Sequence, residues 1–303
     1  MVAEGNPALV VLAAGMGSRY NGLKQLDGFG ASGETIIDYT LYDAIKIGFS
    51  KVVFVIRKEF EEQFREQHIA KIASEISVEV VFQNLASIPA RFQVPPDRTK
   101  PWGTGHAVLL CKKVISEPFV IANADDLYGR SALRLVFDYM KKCSSDQEGI
   151  CLAGYSLNKT LSLNGSVSRG ICEVDADFNL KSIVEAVEIA QNEGSQIMGK
   201  LGDRPSSFTG SEIVSMNLIG MTPHLFPRLE SSFYSFLSIN SHDLKAEYYL
   251  PDFINSQIGD VDVQVLRTDS NWSGVTYRSD KPLVEAHIKK LVSKGVYPNS
   301  LWG

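Results

Sequence analysis

Cysteine is scarce in this chain: there are four among 303 residues, Cys111, Cys143, Cys151 and Cys172, none in CxxC spacing. That scatter excludes a disulfide framework and a cysteine zinc site, and it fits a reducing compartment. The five histidines form no HExxH pair. Positive charge is also in deficit, 30 Lys and Arg against 35 Asp and Glu for a net charge of −5. A general nucleic-acid binder, with its basic face, is thereby excluded. No apolar run approaches the roughly 20 residues of a membrane span. The opening MVAEGNPALVVLAAG carries Glu4 and Pro7 and lacks the layout of a secretory signal, so a cytoplasmic protein without membrane contact is expected. Repeats and low-complexity tracts are missing too, in particular the hexapeptide period that builds a β-helix.

What remains is an ordinary globular composition, 44% hydrophobic, in a length suited to one large α/β domain. Residues 8–12 are a short unbroken apolar run, the mark of a buried parallel strand. Thr35 with Asp38 three residues on signals a helix start, and Ile37, Leu41, Ala44 and Ile45 then share one face. A strand at 52–56, a charged helix at 59–72, a strand at 78–82, a helix at 104–114 and a strand at 119–122 follow. Leu133, Val136, Phe137 and Met140 continue at helical spacing. This alternation predicts a doubly wound α/β sheet with ligands at the carboxyl ends of its strands.

Beyond about residue 150 the pattern turns strand-rich, with runs at 151–155, 171–175, 180–184, 213–221 and 261–266. Leu283, His287, Ile288, Leu291 and Val292 then predict a closing helix. The expected organisation is one domain over 1–303, with halves meeting near 150. Residues 84–102, holding Pro89, Pro95, Pro96 and Pro101, read as a long loop, either a lid or a plain surface excursion.

The richest local signal follows the first strand: Leu12-Ala13-Ala14-Gly15-Met16-Gly17-Ser18-Arg19, with Lys24 five residues later. Glycines there let backbone N–H groups approach phosphate oxygens, and Arg19 and Lys24 can neutralise the charge. A dinucleotide fingerprint fails because Tyr20 takes its third glycine position. A Walker A loop fails because Leu23 precedes Lys24 and Gln25 follows it.

LAAGMGSRYNGLKQ resembles the signature loop of the sugar-1-phosphate nucleotidyltransferases, LAAGxGxR with a lysine shortly after. Leu23 stands where that loop has proline. The resemblance implies a Rossmann-like mixed sheet with a β-rich sugar-binding half. It also implies nucleotide contacts at Ala13, Ala14, Gly15 and Gly17, with Arg19 and Lys24 as the catalytic cations. Trp102-Gly103-Thr104-Gly105-His106-Ala107 is similar to a segment of bacterial N-acetylglucosamine-1-phosphate uridyltransferases that lies against base and ribose, which implicates Gly103 and Thr104. Gln83 resembles their base-reading glutamine, although a long insertion separates it from Gly103. Glu247-Tyr248-Tyr249-Leu250-Pro251-Asp252 is similar to a further segment of the same enzymes.

In Asn123-Ala124-Asp125-Asp126 the family's Mg²⁺ ligand maps to Asp125, while Asp126 could cap the following turn. Gly170, Glu185 and Asn217 match positions that contact sugar hydroxyls. The family's second Mg²⁺ ligand, the aspartate of WxDxG, is replaced by Gly274. Asn271, Asp269 and Asp280 are the carboxylate or amide side chains left nearby in sequence.

The implied reaction is Mg²⁺-dependent transfer from a nucleoside triphosphate, UTP by its motifs, to a sugar 1-phosphate with release of pyrophosphate. Arg98 and Lys100 of the insertion are expected to close over the triphosphate. Two alternatives stand beside this reading: transfer to phosphocholine or another phosphorylated alcohol, and a non-catalytic nucleotide-sugar sensor on the same fold.

Overall fold

The computed structural model describes residues 5–15, 28–192, 194–275 and 277–303. Strand β1 (Ala8–Leu12), wholly apolar, lies inside the sheet between two parallel neighbours. Helix α1 (Ile36–Ile47) starts where the sequence predicts, because the Asp38 carboxylate accepts the Thr35 amide at 2.8 Å and its hydroxyl at 3.0 Å. It stops at Gly48, whose φ of 98° is the left-handed conformation that closes helices. Ile37, Leu41 and Ala44 are fully buried in one core with Val52 and Phe54 of β2 (Lys51–Ile56).

The helix expected at 59–72 forms as one continuous run, α2 (Glu61–Phe64) and α3 (Ala70–Ile72) being joined through a π-turn at Arg65–Ile69. The widened turn carries His68 beside the buried Asp38, Nδ1 lying 3.4 Å from Oδ1, while Lys71 donates to the other oxygen at 2.9 Å. A buried carboxylate that needs partners has here overridden regular helix geometry.

Strand β3 (Ser77–Phe82), helix α4 (Thr104–Leu110), strands β4 (Phe119–Asn123) and β5 (Asp126–Leu127), and helix α5 (Arg130–Met140) complete the first half. Strands β4, β1, β2 and β3 are parallel neighbours in that order. Residues of α1, α2, α3 and α5 share one core against the sheet, and those of α4 share the other.

The second half contributes β6 (Ile150–Ser156), β7 (Val167–Val174), β8 (Leu180–Gln191), β9 (Ile197–Leu201), β10 (Arg204–Phe208) and β11 (Ile213–Met221). Helices α6 (Phe226–Asn240) and α7 (Leu250–Gln257), strands β12 (Val263–Arg267) and β13 (Ser273–Gly274), and helix α8 (Lys281–Ser293) follow. Strand β11 runs antiparallel to β4 and joins both halves in one 11-stranded mixed sheet. There the sheet forks, with β7, β8, β9 and β10 on one branch and β6 and β12 on the other. The β9–β10 hairpin and helices α6 and α7 were not legible in the sequence pattern. Pro205 and two serines interrupt β10, and the apolar positions of α6 are separated by serines.

A third, smaller core fastens the chain end across α1. It gathers Phe29, Ile36, Tyr39, Leu127, Val275, Val284, Ile288, Tyr297 and Leu301. The Glu34 carboxylate accepts the Leu301 amide at 3.2 Å and the Ser32 amide at 3.0 Å, tying the segment before α1 to the tail. Among the described residues, no helix is long and apolar enough to cross a membrane.

Leu301→Ala removes a buried side chain from this small core and is expected to lower unfolding free energy by about 2–5 kcal/mol, read from urea denaturation.

Candidate functional site

The chain proceeds from β1 outward to β2 and β3 but returns to place β4 on the other side of β1. Such a reversal opens a crevice at the strands' carboxyl ends, because the connections from the two strands depart in opposite directions. Leu12 pairs with Asn123 at that end. The Ala13 amide donates to Val55 O at 2.8 Å and the Ala124 amide donates to Leu12 O at 3.1 Å. Ala13, Ala14 and Gly15 therefore leave the sheet beside Asn123 to Asp126, 110 positions further along the chain by Ala13 to Asn123. Gly17, Arg19 and Lys24 lie outside the described residues.

Asp125 sits in the turn after β4 and is partly exposed, whereas Asp126 is 9% exposed. One oxygen of Asp126 accepts the Asn123 side-chain amide at 2.9 Å and the Tyr128 hydroxyl at 3.2 Å. Burial, reinforced by the Asp126 charge, pushes the Tyr128 phenol well above its ordinary value, so it stays a proton donor. Below this pair lies Arg169, 8% exposed, with donors spent on Thr160 O, Thr160 Oγ1 and Ser168 O. Burial lowers its pKa to about 10 against the opposing charges of Asp126 and Asp280. The sequence pointed to neither Asn123, Tyr128 nor Arg169; the only available signal for Arg169 was its place before Gly170.

Gly274 pairs with Asp126 across β5 and β13. Asp280 caps the helical turn before α8, accepting from the Tyr277 amide at 2.8 Å and from Ser162 and Asn164. Asp269 turns its side chain fully outward. Among the described residues, no group of three His, Cys, Asp or Glu gathers as a metal-holding cluster. The Asp125–Asp126 turn offers hard oxygen donors, which suits Mg²⁺: that ion takes one or two carboxylates and completes its shell from phosphates and water.

The 102–107 and 247–250 segments interlock. The Tyr248 amide donates to Trp102 O at 2.8 Å, the Gly105 amide to Tyr248 O at 2.9 Å and the Leu250 amide to Thr104 Oγ1 at 2.9 Å. Gly103 has a φ of 101°, and a Cβ there would lie 2.4 Å from Tyr248 O; a Cβ on Gly105 would lie 2.5 Å from the Tyr248 ring. These glycines serve close backbone approach. Gln83 donates from Nε2 to Gly103 O at 2.9 Å, so its amide also holds this turn. His106 is fully buried, stacks on Phe233 at 4.8 Å and has Nε2 2.9 Å from Ser87 O, which fixes its tautomer as the Nε2–H form.

Arg98 does not reach for a triphosphate. It is 3% exposed, donates to Asp243 O, Pro101 O and Ala246 O, and lies 3.6 Å from the Trp102 ring centre. Lys100 pairs with Glu247 at 2.5 Å. The expectation that these two cations close over phosphates is corrected: backbone carbonyls claim the buried arginine, and an acid claims the lysine.

Gly170, Glu185 and Asn217 come together. Gly170 pairs with Glu185 on one side and with Ser215 on the other. Asn217 stands in the bulge of β11 between Ser215 and Ile219 with a φ of 60°, a conformation asparagine tolerates better than most residues. Tyr249, 45% exposed, is near enough for the Glu185 charge to contribute, after burial and the Glu247 hydrogen bond, in pushing its phenol up to about 12. A groove of about 860 Å³ lies at the opposite end of the strands, beside the amino ends of β6 and β12, and is rich in acids. Lacking strand carboxyl ends and a glycine loop, it does not compete as an anion site.

No family model matches this sequence, and no curated protein matches it. Among solved structures it is similar to an inositol-1-phosphate CTP transferase from T. maritima at 16% identity and a TM-score of 0.61, covering 95% of this chain and 98% of that one. A UDP-glucose pyrophosphorylase complexed with UDP-glucose is similar at 17% identity and a TM-score of 0.59, with 94% and 99% covered. The fold is thus the Rossmann-like α/β fold these structures share, over nearly the whole chain.

Burial lowers the His106 pKa to about 4, below the 6.5 of the unfolded chain. The unfolded state therefore binds a proton first: the contribution is complete above pH 6.5 and is lost as pH falls towards 4, on the order of 3 kcal/mol. Urea midpoints at pH 7 and pH 4.5 should show this loss, and His106→Gln should remove most of it.

Proposed function

We propose that this protein is a nucleotidyltransferase that joins a nucleoside triphosphate to a sugar 1-phosphate and releases pyrophosphate. One observation carries the reading. The loop after β1 and the acids after β4 follow the carboxyl ends of two neighbouring strands, and the Gly170–Glu185–Asn217 group lies on strands of the same sheet, so that groups far apart in sequence meet around the β4–β11 junction. A phosphate site beside a group of hydroxyl-binding side chains suits a reaction between a triphosphate and a phosphorylated sugar.

In this reading an oxygen of the sugar phosphate attacks the α-phosphorus in line, and the bond from that phosphorus to the oxygen bridging the β-phosphate breaks. No covalent protein intermediate is needed. Ala13, Ala14, Gly15 and Gly17 present backbone to the phosphates, and Arg19 and Lys24 stabilise the charge that develops. Gln83, Gly103 and Thr104 shape the base side, and the motifs favour UTP. Gly170 offers backbone where a Cβ would strike Ile183 at 2.9 Å, while Glu185 and Asn217 offer polar groups to sugar hydroxyls. Asp125 is the first carboxylate for Mg²⁺, which when bound neutralises charge on phosphate oxygens.

The test is pyrophosphate release with Mg²⁺ for each nucleoside triphosphate against a panel of sugar 1-phosphates and phosphocholine. Release with UTP and a hexose 1-phosphate is expected. Nucleotide-sugar binding without release under any pairing would overturn the reading in favour of a sensor. Arg19→Ala should lower kcat by roughly 10²–10³, about 2.7–4 kcal/mol, and normal turnover would contradict its role.

A further inference from the structure

We infer that Lys100 is a positioning residue for the sugar side of the site: through Glu247 it sets the stance of the Tyr249 side chain beside Glu185. This deepens the proposed function and rests on it. The observation that carries it is one shared oxygen. Glu247 Oε2 lies 2.5 Å from Lys100 Nζ and accepts the Tyr249 hydroxyl at 2.8 Å. A carboxylate held by a cation on one side orients the phenol on its other side, as supporting residues orient the groups that meet a ligand.

The backbone puts Lys100 where this pair can form. Arg98 donates to the carbonyls of Asp243 and Ala246, and Trp102 O accepts the Tyr248 amide at 2.8 Å. The end of the insertion is thus fastened to the chain immediately before and immediately after Glu247. Lys100 stands between the two attachments. Because Lys100 is half-exposed, losing its ion pair costs the fold little, and its effect is local.

Tyr249 stands between the base side and the sugar side. Tyr248 is buried against Gly103 and Gly105, while Tyr249, next along an extended backbone, turns outward. Helix α7 begins one residue later, its Leu250 amide on Thr104 Oγ1. The same helix grips β8: Asn255 accepts the Ile183 amide and donates to the Ile183 carbonyl, both at 2.7 Å, close before Glu185 in that strand. Burial, then the Glu247 hydrogen bond and the charges of Glu247, Glu185 and Asp252, push the phenol up to about 12, so it remains a donor at neutral pH. A half-exposed ring with an anchored hydroxyl offers a hexose a rigid apolar face at low entropic cost. Lys100 also adds positive charge beside these acids, which favours the approach of an anionic sugar phosphate.

The experiment takes the pairing that releases pyrophosphate fastest among ATP, GTP, CTP and UTP with glucose, galactose, mannose and N-acetylglucosamine 1-phosphates. It measures kcat and both KM values for each variant, with melting temperatures alongside. Lys100→Ala should raise the KM for the sugar 1-phosphate about tenfold and move kcat and the triphosphate KM by less than about twofold. Lys100→Arg restores the charge and should return the sugar KM to within about threefold of wild type. Tyr249→Phe should raise the sugar KM to a similar degree as Lys100→Ala. The double variant should be no worse than the worse single one, because both changes act through one hydroxyl. Lys51→Ala, which removes the Lys51–Glu117 pair at the amino end of β2, should change neither KM.

An unaltered sugar KM in folded Lys100→Ala would overturn the inference, as would a rise confined to the triphosphate KM or effects that add in the double variant. Should Lys100→Ala not fold, Lys100→Gln decides in its place, since it keeps the stem and removes the charge. Any of these results in a protein that releases pyrophosphate removes only this inference. A wild-type protein without release from any pairing removes the proposed function as well.

Discussion

The pairing of β1 with β4 is the constraint on which the rest of this molecule depends. Parallel strands cannot be joined by a tight turn, so β4 must arrive by a crossover from β3 and lands on the free side of β1. That landing brings Asn123 level with Leu12 and opens the crevice from which both the glycine loop and the acids depart. The same strand then accepts β11 on its outer edge, so the second half is built onto the first through one continuous hydrogen-bonded sheet. The bulge that holds Asn217 lies where β11 changes partners, and the irregularity follows from one strand serving three neighbours.

Glycine has two distinct uses around this crevice. Gly103 and Gly105 admit the backbone and ring of Tyr248, binding two distant segments into a rigid wall. Gly274 leaves room for a carboxylate from the neighbouring strand. In each case the missing Cβ matters for what occupies its place rather than for flexibility.

Charge follows a similar economy. Arg98 and Arg169, both nearly buried, are surrounded chiefly by carbonyl oxygens, and both stiffen the walls of the molecule from within. A buried guanidinium with five fixed donors can tie several chain segments at once, which explains why these two arginines face inward.

Local pattern alone determined the strand–helix order of the first half, the start of α1 at Thr35 and Asp38, and the place of the glycine loop after β1. These rest on contacts within a few residues, where side-chain period and backbone geometry act directly. The convergence of Gly170, Glu185 and Asn217 could be suspected from their order, but strand pairing decided it. The π-turn within the helix at 59–72, the inward commitment of Arg98 and the opposition of Gly274 to Asp126 belonged to tertiary structure alone. Each depends on a partner more than 25 positions away, and burial rather than local preference selects it.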